Sequence, residues 1–441
     1  MEDFELAITP AYPFGAAGAP ILLHAGSLEI GGQSVIGSIE FRLLPRPEII
    51  WRVDSHRKVR ADEFELVIDH ATGPARLVAR QHRSGQGTIE TVEVGATEAD
   101  LDRVVVHWLN LPAIRSPYCV EDPTDGMQYS GRWSAVVDGW AVTLDRRSDH
   151  REIWLQIRDD SLAAVTHVME LRRVDAGAFR PSDVEPVLSA MHLGMSFALG
   201  RWVAPALPVG FDRTGRRVWE QWGVRFSTIG APGTLGWWWH QQEWELAELL
   251  ERTVERFSDP EQQFSLRFLL SSAVLSASGG FVEQRIMTAF AAIEHLTWTR
   301  LVTIGGMSKS EYGKLRPHYQ RLERALAEAK IPDGVEREML PALYDAVQRR
   351  PDVVPRSGPA IACHVRNMIV HPTDHEDELY RRDEGLVTQG WLLTHHYLVL
   401  LILHHLGYSD TYQPLLRPNA WEGTVELVPW APVSGLQHNQ F

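Results

Sequence analysis

Apolar and polar side chains alternate over short segments in roughly the first 175 residues, with turn formers between the segments. In residues 88–94 the apolar side chains fall near every second position, the period of a strand with one buried face. Asp138-Gly139 between two apolar segments is a strong hairpin signal. The segments with this pattern are 34–43, 63–68, 88–94, 103–109, 132–144 and 152–157. Without long helices between them, they predict an antiparallel sandwich or barrel.

The apolar period changes to three and four residues near Pro181, where a helix is expected to begin. Asp212 to Gly215 has the composition of a hairpin turn, and the chain after about Gln241 reads as helical. The predicted helices span 244–257, 262–277, 282–301, 315–329, 337–349, 359–371 and 378–406. Glycine and proline clusters separate them, which is typical of a helical bundle.

These patterns together predict an α+β protein with an N-terminal antiparallel β-sandwich-like region and a C-terminal all-α bundle. The expected division is a β-rich part over 1–178, a connecting α/β region over 179–258, a helical domain over 259–410 and a tail over 411–441. A chain of 441 residues is long enough for about three domains. The sequence contains no phosphate-binding GxxxxGK[ST] or GxGxxG motif.

Composition and charge narrow the class of partner. The chain is 44% hydrophobic and 23% charged, which is typical of a globular protein. Its formal charge of -14 argues against a broad basic surface for long nucleic acid, although a short local contact is compatible with it. The acidic N-terminus and the short apolar runs, the longest being residues 397–403, predict a cytoplasmic protein without a membrane partner.

Residues 363–372 contain the most informative chemistry. Asn367 and His371 are four residues apart, so a helix places both on one face, and Arg366 precedes Asn367 by one position. Arginine can grip a phosphate, histidine can move a proton near neutral pH, and asparagine can orient either group. Spacing alone favours the structural interpretation, because Arg-x4-His is a short and common pattern: a surface arginine, a helix-end hydrogen bonder and a C-terminal histidine favoured by the helix dipole.

The sequence Arg366-Asn367-Met368-Ile369-Val370-His371 resembles the R-N-x3-H form of the Arg-x4-6-His motif of HEPN-domain ribonucleases. The helical context over 262–407 is similar to that family, and residues 281–301, which include Ala291-Ala292-Ile293-Glu294-His295-Leu296, resemble its early long helix. A β-rich N-terminal region, the segment 196–201 and a C-terminal HEPN-like bundle together resemble the ApeA-like anti-phage defence proteins.

This resemblance implies an anti-phage RNA endonuclease that stays inactive until it senses a phage signal, with a phage protein at the β-rich domain as a possible trigger. It implies a homodimer through the HEPN domain. His371 would transfer the proton in attack by the ribose 2′-hydroxyl, Arg366 would stabilise charge on the phosphate, and Asn367 would position one or both. The products would carry a 2′,3′-cyclic phosphate, and neither a metal nor another cofactor is expected.

Two further residues are candidate neighbours of this cleft. His364 lies seven residues before His371, two helical turns away on the same face, and Glu294 lies on the helix that the family places near the motif. A solvated histidine and a structural salt bridge are the alternative interpretations. The pairs His395-His396 and His404-His405 are too far apart along one helix for a single metal site, so none is predicted.

Three alternatives to an RNA endonuclease remain. The first is a non-catalytic HEPN-like scaffold that dimerises or binds nucleotide while a β-rich domain recognises a partner. The second is a carbohydrate-processing protein, which needs a pair of carboxylates across a cleft that the sequence does not identify. The third is a toxin controlled by an antitoxin, without phage sensing.

Overall fold

The computed structural model describes residues 4–53, 63–238, 243–349, 356–371, 385–417 and 424–432. The fold is mixed α/β, β-rich in its N-terminal part and helical in its C-terminal part. The chain divides into a first unit of residues 1–196, 202–233 and 240–258 and a second unit of residues 197–201, 234–239 and 259–441. Most of the expected connecting region 179–258 therefore groups with the β-rich part.

A closed six-stranded barrel forms the first part of the β-rich unit. Its strands follow the order β2-β3-β4-β7-β6-β5 around the barrel. They are β2 (Ile21–Ile30), β3 (Gln33–Arg42), β4 (Glu48–Val53), β5 (Glu63–His70), β6 (Gly73–Arg83) and β7 (Gln86–Ile89). Every second side chain points inward, and Ile39, Trp51 and Leu77 are completely buried. The strands predicted over 34–43 and 63–68 are thus confirmed as β3 and β5. The predicted strand 88–94 is not continuous: it divides between β7 of the barrel and a strand of a separate sheet that begins at Val92.

A nine-stranded sheet forms the rest of the β structure, in the order β1-β10-β11-β12-β13-β9-β14-β15-β8. Its strands are β1 (Glu5–Leu6), β8 (Val92–Gly95), β9 (Arg103–Leu109), β10 (Tyr118–Glu121), β11 (Gln128–Val137), β12 (Trp140–Arg146), β13 (Val165–Arg173), β14 (Ala204–Phe211) and β15 (Arg217–Trp222). All neighbouring pairs are antiparallel except β1 with β10. Asp138 and Gly139 both have positive φ and form the predicted hairpin turn.

The arrangement of the strands differs from the expected sandwich in one respect, because six of them close into a barrel. Closure brings backbones very near each other: a Cβ on Gly87 would lie 1.7 Å from the carbonyl oxygen of Arg80, and one on Gly37 would lie 2.2 Å from that of Arg52. Only glycine fits at such crossings. The alternation of apolar residues does not encode closure, since both architectures have the same period.

One predicted strand is wrong. Residues 152–157 belong to the helix α1 (His150–Asp159), which buries Ile153 and Ile157 and leaves Leu155 exposed. The three apolar residues alternate along the chain, so they fit a strand, but two of them are also four positions apart, as a helix requires. In a segment this short, burial of one face by the surrounding structure decides between the two periods.

The remaining helices follow the predicted apolar periods, except for the short helix over 309–314, which was not predicted. They are α2 (Pro181–Leu199), α3 (Glu243–Phe257), α4 (Pro260–Ser278), α5 (Val282–Trp298) with a π-helical extension (Thr299–Ile304), α6 (Lys309–Lys314), α7 (Tyr319–Glu328), α8 (Pro341–Arg349), α9 (Gly358–Val370) and α10 (Leu386–Leu406). Two short strands follow, β16 (Thr411–Tyr412) and β17 (Glu426–Leu427). The part of the last predicted helix over 378–384 lies outside the described residues.

Helix α10 is the core of the second unit. Its 21 residues are long and apolar enough to cross a membrane by length and composition, with a mean hydropathy of 1.4 in its most apolar window. In the structure 78% of that window is buried inside the protein, as in the core helix of a globular unit, so the helix is weak evidence for a membrane span. Counting only the run 397–403 underestimated its apolar length.

We predict that acid destabilises the second unit through the buried histidines of α10. Burial lowers the pKa of His395 to about 4 and that of His396 to about 3. The unfolded chain takes up protons below pH 6.5 and the folded chain does not, so stability falls as the pH drops from 6.5 toward 4. Each histidine contributes a loss of about 1.4 kcal/mol between pH 7.5 and 5.5. Urea unfolding at both pH values measures this loss.

The variant His396→Leu removes the contribution of one of these histidines to the pH dependence of stability. Its free energy of unfolding should fall by about 1.4 kcal/mol less than that of the wild type over the same pH interval. His318→Leu is the control in the same unit, because His318 is exposed at the start of α7. Equal pH dependence in all three proteins would show that His396 does not resist protonation in the folded state.

Candidate functional site

The helix α9 is fixed at its N-terminus by several local contacts. The Ser357 side chain accepts the backbone N–H of Ala360 at 3.4 Å and donates to Glu323 of α7 at 2.6 Å. Gly358 donates its N–H to the carbonyl oxygen of Asp333 at 2.6 Å. A Cβ on Gly358 would lie 2.1 Å from the Tyr397 hydroxyl, so this position requires glycine. Ser357 is therefore the N-cap of α9, and Pro359 stands in its first turn, where a missing N–H costs no hydrogen bond.

One face of α9 is buried. Ile361 and Val365 are almost completely buried, while Met368 and Ile369, one turn further on, are half-buried. Val365 packs where α10 has Gly390, and a Cβ on Gly390 would lie only 2.9 Å from a methyl carbon of Val365. The helices therefore approach closely at this point. The helical period then turns the polar residues of α9 away from the core.

Arg366, Asn367 and His371 occupy the outer side and the end of α9. Asn367 is exposed and Arg366 is half-buried. A nitrogen of the Arg366 guanidinium donates to Oδ1 of Asn367 at 3.1 Å, which confirms that the arginine reaches around the helix to its neighbour. His371 is exposed just past the last helical residue, and its N–H donates to the Asn367 carbonyl oxygen at 2.8 Å. The backbone of His371 thus lies one turn beyond Asn367.

The contacts differ among these three side chains. Arg366 and Asn367 are joined directly, whereas the His371 side chain makes no hydrogen bond or ion pair within the part of the chain that the structure describes. His364 is half-buried within α9, two turns before His371. A solvent-facing imidazole at the end of the helix that carries this arginine and amide can exchange protons with a bound molecule.

Glu294 lies on the exposed side of α5, and its charge acts on α9 through Cys363. Burial raises the pKa of the Cys363 thiol to about 12; the positive charge of Arg366 opposes this rise, and the charges of Glu294 and Glu323 add to it. The four side chains are therefore electrostatic neighbours. The thiol stays protonated at neutral pH, so Cys363 is not a nucleophile here.

Across the described ranges, no group of three histidine, cysteine, aspartate or glutamate side chains is arranged to hold a metal ion. Among the described residues, the polar side chains on the outer side and at the end of α9 include one guanidinium, one amide and one imidazole. These groups suit the binding of an oxyanion and the transfer of a proton.

A second cluster of titratable groups, in the first unit, was not predicted from the sequence. The carboxylate of Glu220 on β15 is completely buried and accepts hydrogen bonds from four side chains or ion-pair partners. They are the Tyr12 hydroxyl, His70 Nε2 at 2.8 Å, Trp222 Nε1 at 2.9 Å and Arg217 Nε at 2.8 Å. These partners come from the N-terminal segment, from the barrel and from the sheet, so one carboxylate ties the three parts together.

The electrostatics of this cluster follow from its burial. Burial would raise the pKa of Glu220, but the hydrogen bond from His70, the charge of Arg217 and the bond from Tyr12 together hold it below its usual value. Burial and the nearby carboxylate raise the pKa of Tyr12 well above its usual value. Burial lowers the pKa of His107, which accepts the Tyr12 N–H, to about 4. The cluster therefore contains an ionised glutamate and a neutral histidine at neutral pH.

The sequence does contain a signal for the buried glutamate. Glu220 stands between Trp219 and Trp222 in a strand, and Glu220 and Trp222 share one face because they are two residues apart. A carboxylate on the same face as a buried tryptophan indicates a paired charge rather than a solvated one. The identity of its partners depends on tertiary contacts more than 100 residues away along the chain.

Two domain families match this chain. The model of the YopA central domain matches residues 96–229, and that of the YopA C-terminal domain matches residues 265–426. The first range contains Glu220, and the second contains α9 and Glu294. The SPbeta prophage-derived uncharacterized protein YopA of Bacillus subtilis (strain 168) is 29% identical over 309 residues, which are 69% of this chain and 67% of that protein. No solved structure shows a significant match.

We expect Glu220→Gln to destabilise the first unit by about 3 kcal/mol, because it leaves the half-buried Arg217, with two buried guanidinium nitrogens, beside a neutral amide. The folded pKa of Glu220 is lowered, so its contribution is fully present at neutral pH and is lost as the pH falls through that pKa. Urea unfolding at pH 7 measures the effect. Glu65→Gln is the matched control, since Glu65 pairs with Arg76 on the exposed barrel surface. A similar small change in both variants would contradict a tying role for Glu220.

Proposed function

We propose that this chain is an anti-phage defence effector, a metal-independent RNA endonuclease of the HEPN type that acts after it senses a phage signal. The observation that supports this proposal most is the placement of Arg366, Asn367 and His371 on the solvent side and at the end of one helix in the C-terminal helical unit. Their spacing fits the R-N-x3-H motif, and the described contacts of Arg366 and Asn367 leave both facing outward.

The proposed reaction is cleavage of a phosphodiester by the neighbouring ribose 2′-hydroxyl. The 2′-oxygen forms a bond to phosphorus and the bond to the 5′-oxygen breaks, giving a 2′,3′-cyclic phosphate and a 5′-hydroxyl. One proton leaves the 2′-hydroxyl and one is added to the departing 5′-oxygen. His371 transfers one or both protons, and Arg366 binds the phosphate oxygens while Asn367 holds the guanidinium in place. A base with a pKa near neutrality suits both transfers.

A homodimer through the helical unit is part of this proposal. One exposed histidine on each chain cannot stand on both sides of a phosphate at once, whereas two copies facing each other supply two imidazoles and two guanidinium groups to one cleft. Sequence resemblance to HEPN domains, which usually pair, supports this arrangement. Glu294 and His364 are the proposed neighbours of that cleft.

The proposed trigger is a phage component that contacts the β-rich unit. A prophage-derived protein is 29% identical to this chain over 309 residues, which links the similar sequences to phage biology without assigning a role. The barrel, over residues 21–89, lies outside both matched domain ranges. This arrangement is suited to a recognition module attached to a separate effector.

A non-catalytic HEPN-like scaffold is the second candidate, and the local charges favour it. Glu294 and Glu323 lie near Arg366 and Cys363, and the chain carries a formal charge of -14. Nearby carboxylates weaken the attraction of an RNA phosphate to Arg366. In that case the helical unit would dimerise or bind a nucleotide, and the β-rich unit would recognise a partner.

We predict that His371→Ala abolishes cleavage of cellular RNA, with a loss of about 100-fold or more, because it removes the proton-transferring group. The measurement is RNA integrity after strong expression and during phage challenge, with mapping of fragment ends for 2′,3′-cyclic phosphate. His318→Ala is the matched control, an exposed histidine of the same unit outside α9.

The two candidate functions give different outcomes in that experiment. If the protein is an endonuclease, the wild type and His318→Ala cut RNA, and His371→Ala does not. If the protein is a scaffold, the wild type and His371→Ala protect the host equally well, and no RNA fragments with cyclic-phosphate ends accumulate. That second result would end the endonuclease proposal.

A further inference from the structure

The outer surface of the barrel contains a pocket of about 250 Å³ that the proposed nuclease does not use. Strands β3, β4, β6 and β7 are neighbours there, and each contributes at least one side chain. The lining residues are Arg42, Glu48, Ile50, His82, Arg83, Gln86, Gly87 and Thr88. All of them belong to the first unit and to the part of the chain that the structure describes.

Strand register explains why a pocket forms at this place. Ile50 pairs with Thr88, and Arg42 pairs with Glu48, so these four side chains point outward from adjacent strands. The ladder between β6 and β7 shifts register between Gln81 and Arg83, which disturbs the regular surface. Ile50 is only 5% exposed and forms an apolar floor between polar walls.

The charges in this pocket are unequal. Arg42 is paired with Glu48, and its Nε is buried without a hydrogen-bond partner. Arg83 is exposed, and no carboxylate of the described residues lies within ion-pair distance of it. The other arginines of the same strand are different, because Arg76 pairs with Glu65 and Arg80 pairs with Glu63 and Glu90. Among the described residues, the pocket therefore carries one positive charge without an ion-pair partner.

Neutral donors surround that charge. The His82 ring and the Thr88 hydroxyl are hydrogen-bonded to each other at 2.9 Å, and the Gln86 amide lies on the same wall. A guanidinium with several neutral donors around it binds an oxyanion with many acceptor oxygens better than it binds a halide. Arginine in particular offers a fork of donors that fits a phosphate.

We propose that this pocket binds the phosphate group of a small organic phosphate, such as a sugar phosphate or a nucleotide. Arg83 supplies the charge, Gln86 and Thr88 donate hydrogen bonds, and the apolar part of the ligand lies over Ile50. A volume of about 250 Å³ admits a molecule of this size but not a folded partner. This proposal does not depend on the nuclease activity, because it concerns a different unit of the chain.

The test is isothermal titration calorimetry of the full chain with ribose 5-phosphate and adenosine monophosphate, and with inorganic phosphate and citrate as comparison anions. We expect the wild type to bind at least one of the two organic phosphates more tightly than citrate. The variant Arg83→Gln should bind it at least tenfold more weakly, because a charge-assisted contact is lost. Arg76→Gln is the matched control on the same strand, and it should bind as the wild type does.

Several outcomes would overturn this proposal. They are absence of binding at millimolar concentrations, equal affinity of Arg83→Gln and the wild type, or citrate binding as tight as organic phosphate. A short RNA that binds when neither organic phosphate does would assign the surface to a polynucleotide instead. Circular dichroism and the thermal midpoint verify that both variants are folded. Because Arg83 is exposed, its replacement is not expected to unfold the barrel.

Discussion

The close packing of α9 against α10 determines which residues of α9 reach solvent. Val365 occupies the space that a side chain at position 390 would need, so Gly390 sets both the distance and the rotation of the two helices. Because Ile361 and Val365 are buried, the helical period places the polar residues of α9 on the side away from α10. A rotation that buried Arg366 completely would remove its charge from water, which is unfavourable. The proposed site therefore follows from an apolar contact.

The buried titratable groups of the two units differ in charge. In the first unit the Glu220 carboxylate stays ionised because four partners surround it. In the second unit His395 and His396 stay neutral because burial makes their charged forms unfavourable. Both arrangements weaken in acid, but for opposite reasons: the glutamate loses its charge and the histidines gain one. Acid is thus expected to destabilise both units through these buried groups.

The sequence predicts well those elements that depend on residues adjacent along the chain. The Asp138-Gly139 hairpin and the serine cap of α9 depend on residues that are neighbours along the chain, and the structure has both. Helix α1 was missed because Ile153, Leu155 and Ile157 fit two periods, and only burial by other segments selects one. Closure of the barrel and the partners of Glu220 depend on distant segments. Such features require the tertiary structure, because neither period nor composition encodes them.

Candidate functional residues can be predicted from the sequence only where they are close together along the chain. The motif on α9 was found because its residues are adjacent in sequence, whereas the barrel pocket combines residues from four strands that no spacing rule connects. In both places the contacts of the arginine are important: among the described residues Arg366 hydrogen-bonds to an amide, and Arg83 has no ion pair. In a chain with a net charge of -14, a guanidinium already paired with a carboxylate offers little attraction to an incoming anion. A guanidinium without a carboxylate partner keeps its attraction for an anion, and neutral donors beside it fix the orientation of the bound anion. The partners of each arginine therefore indicate an anion site better than the number of arginines does.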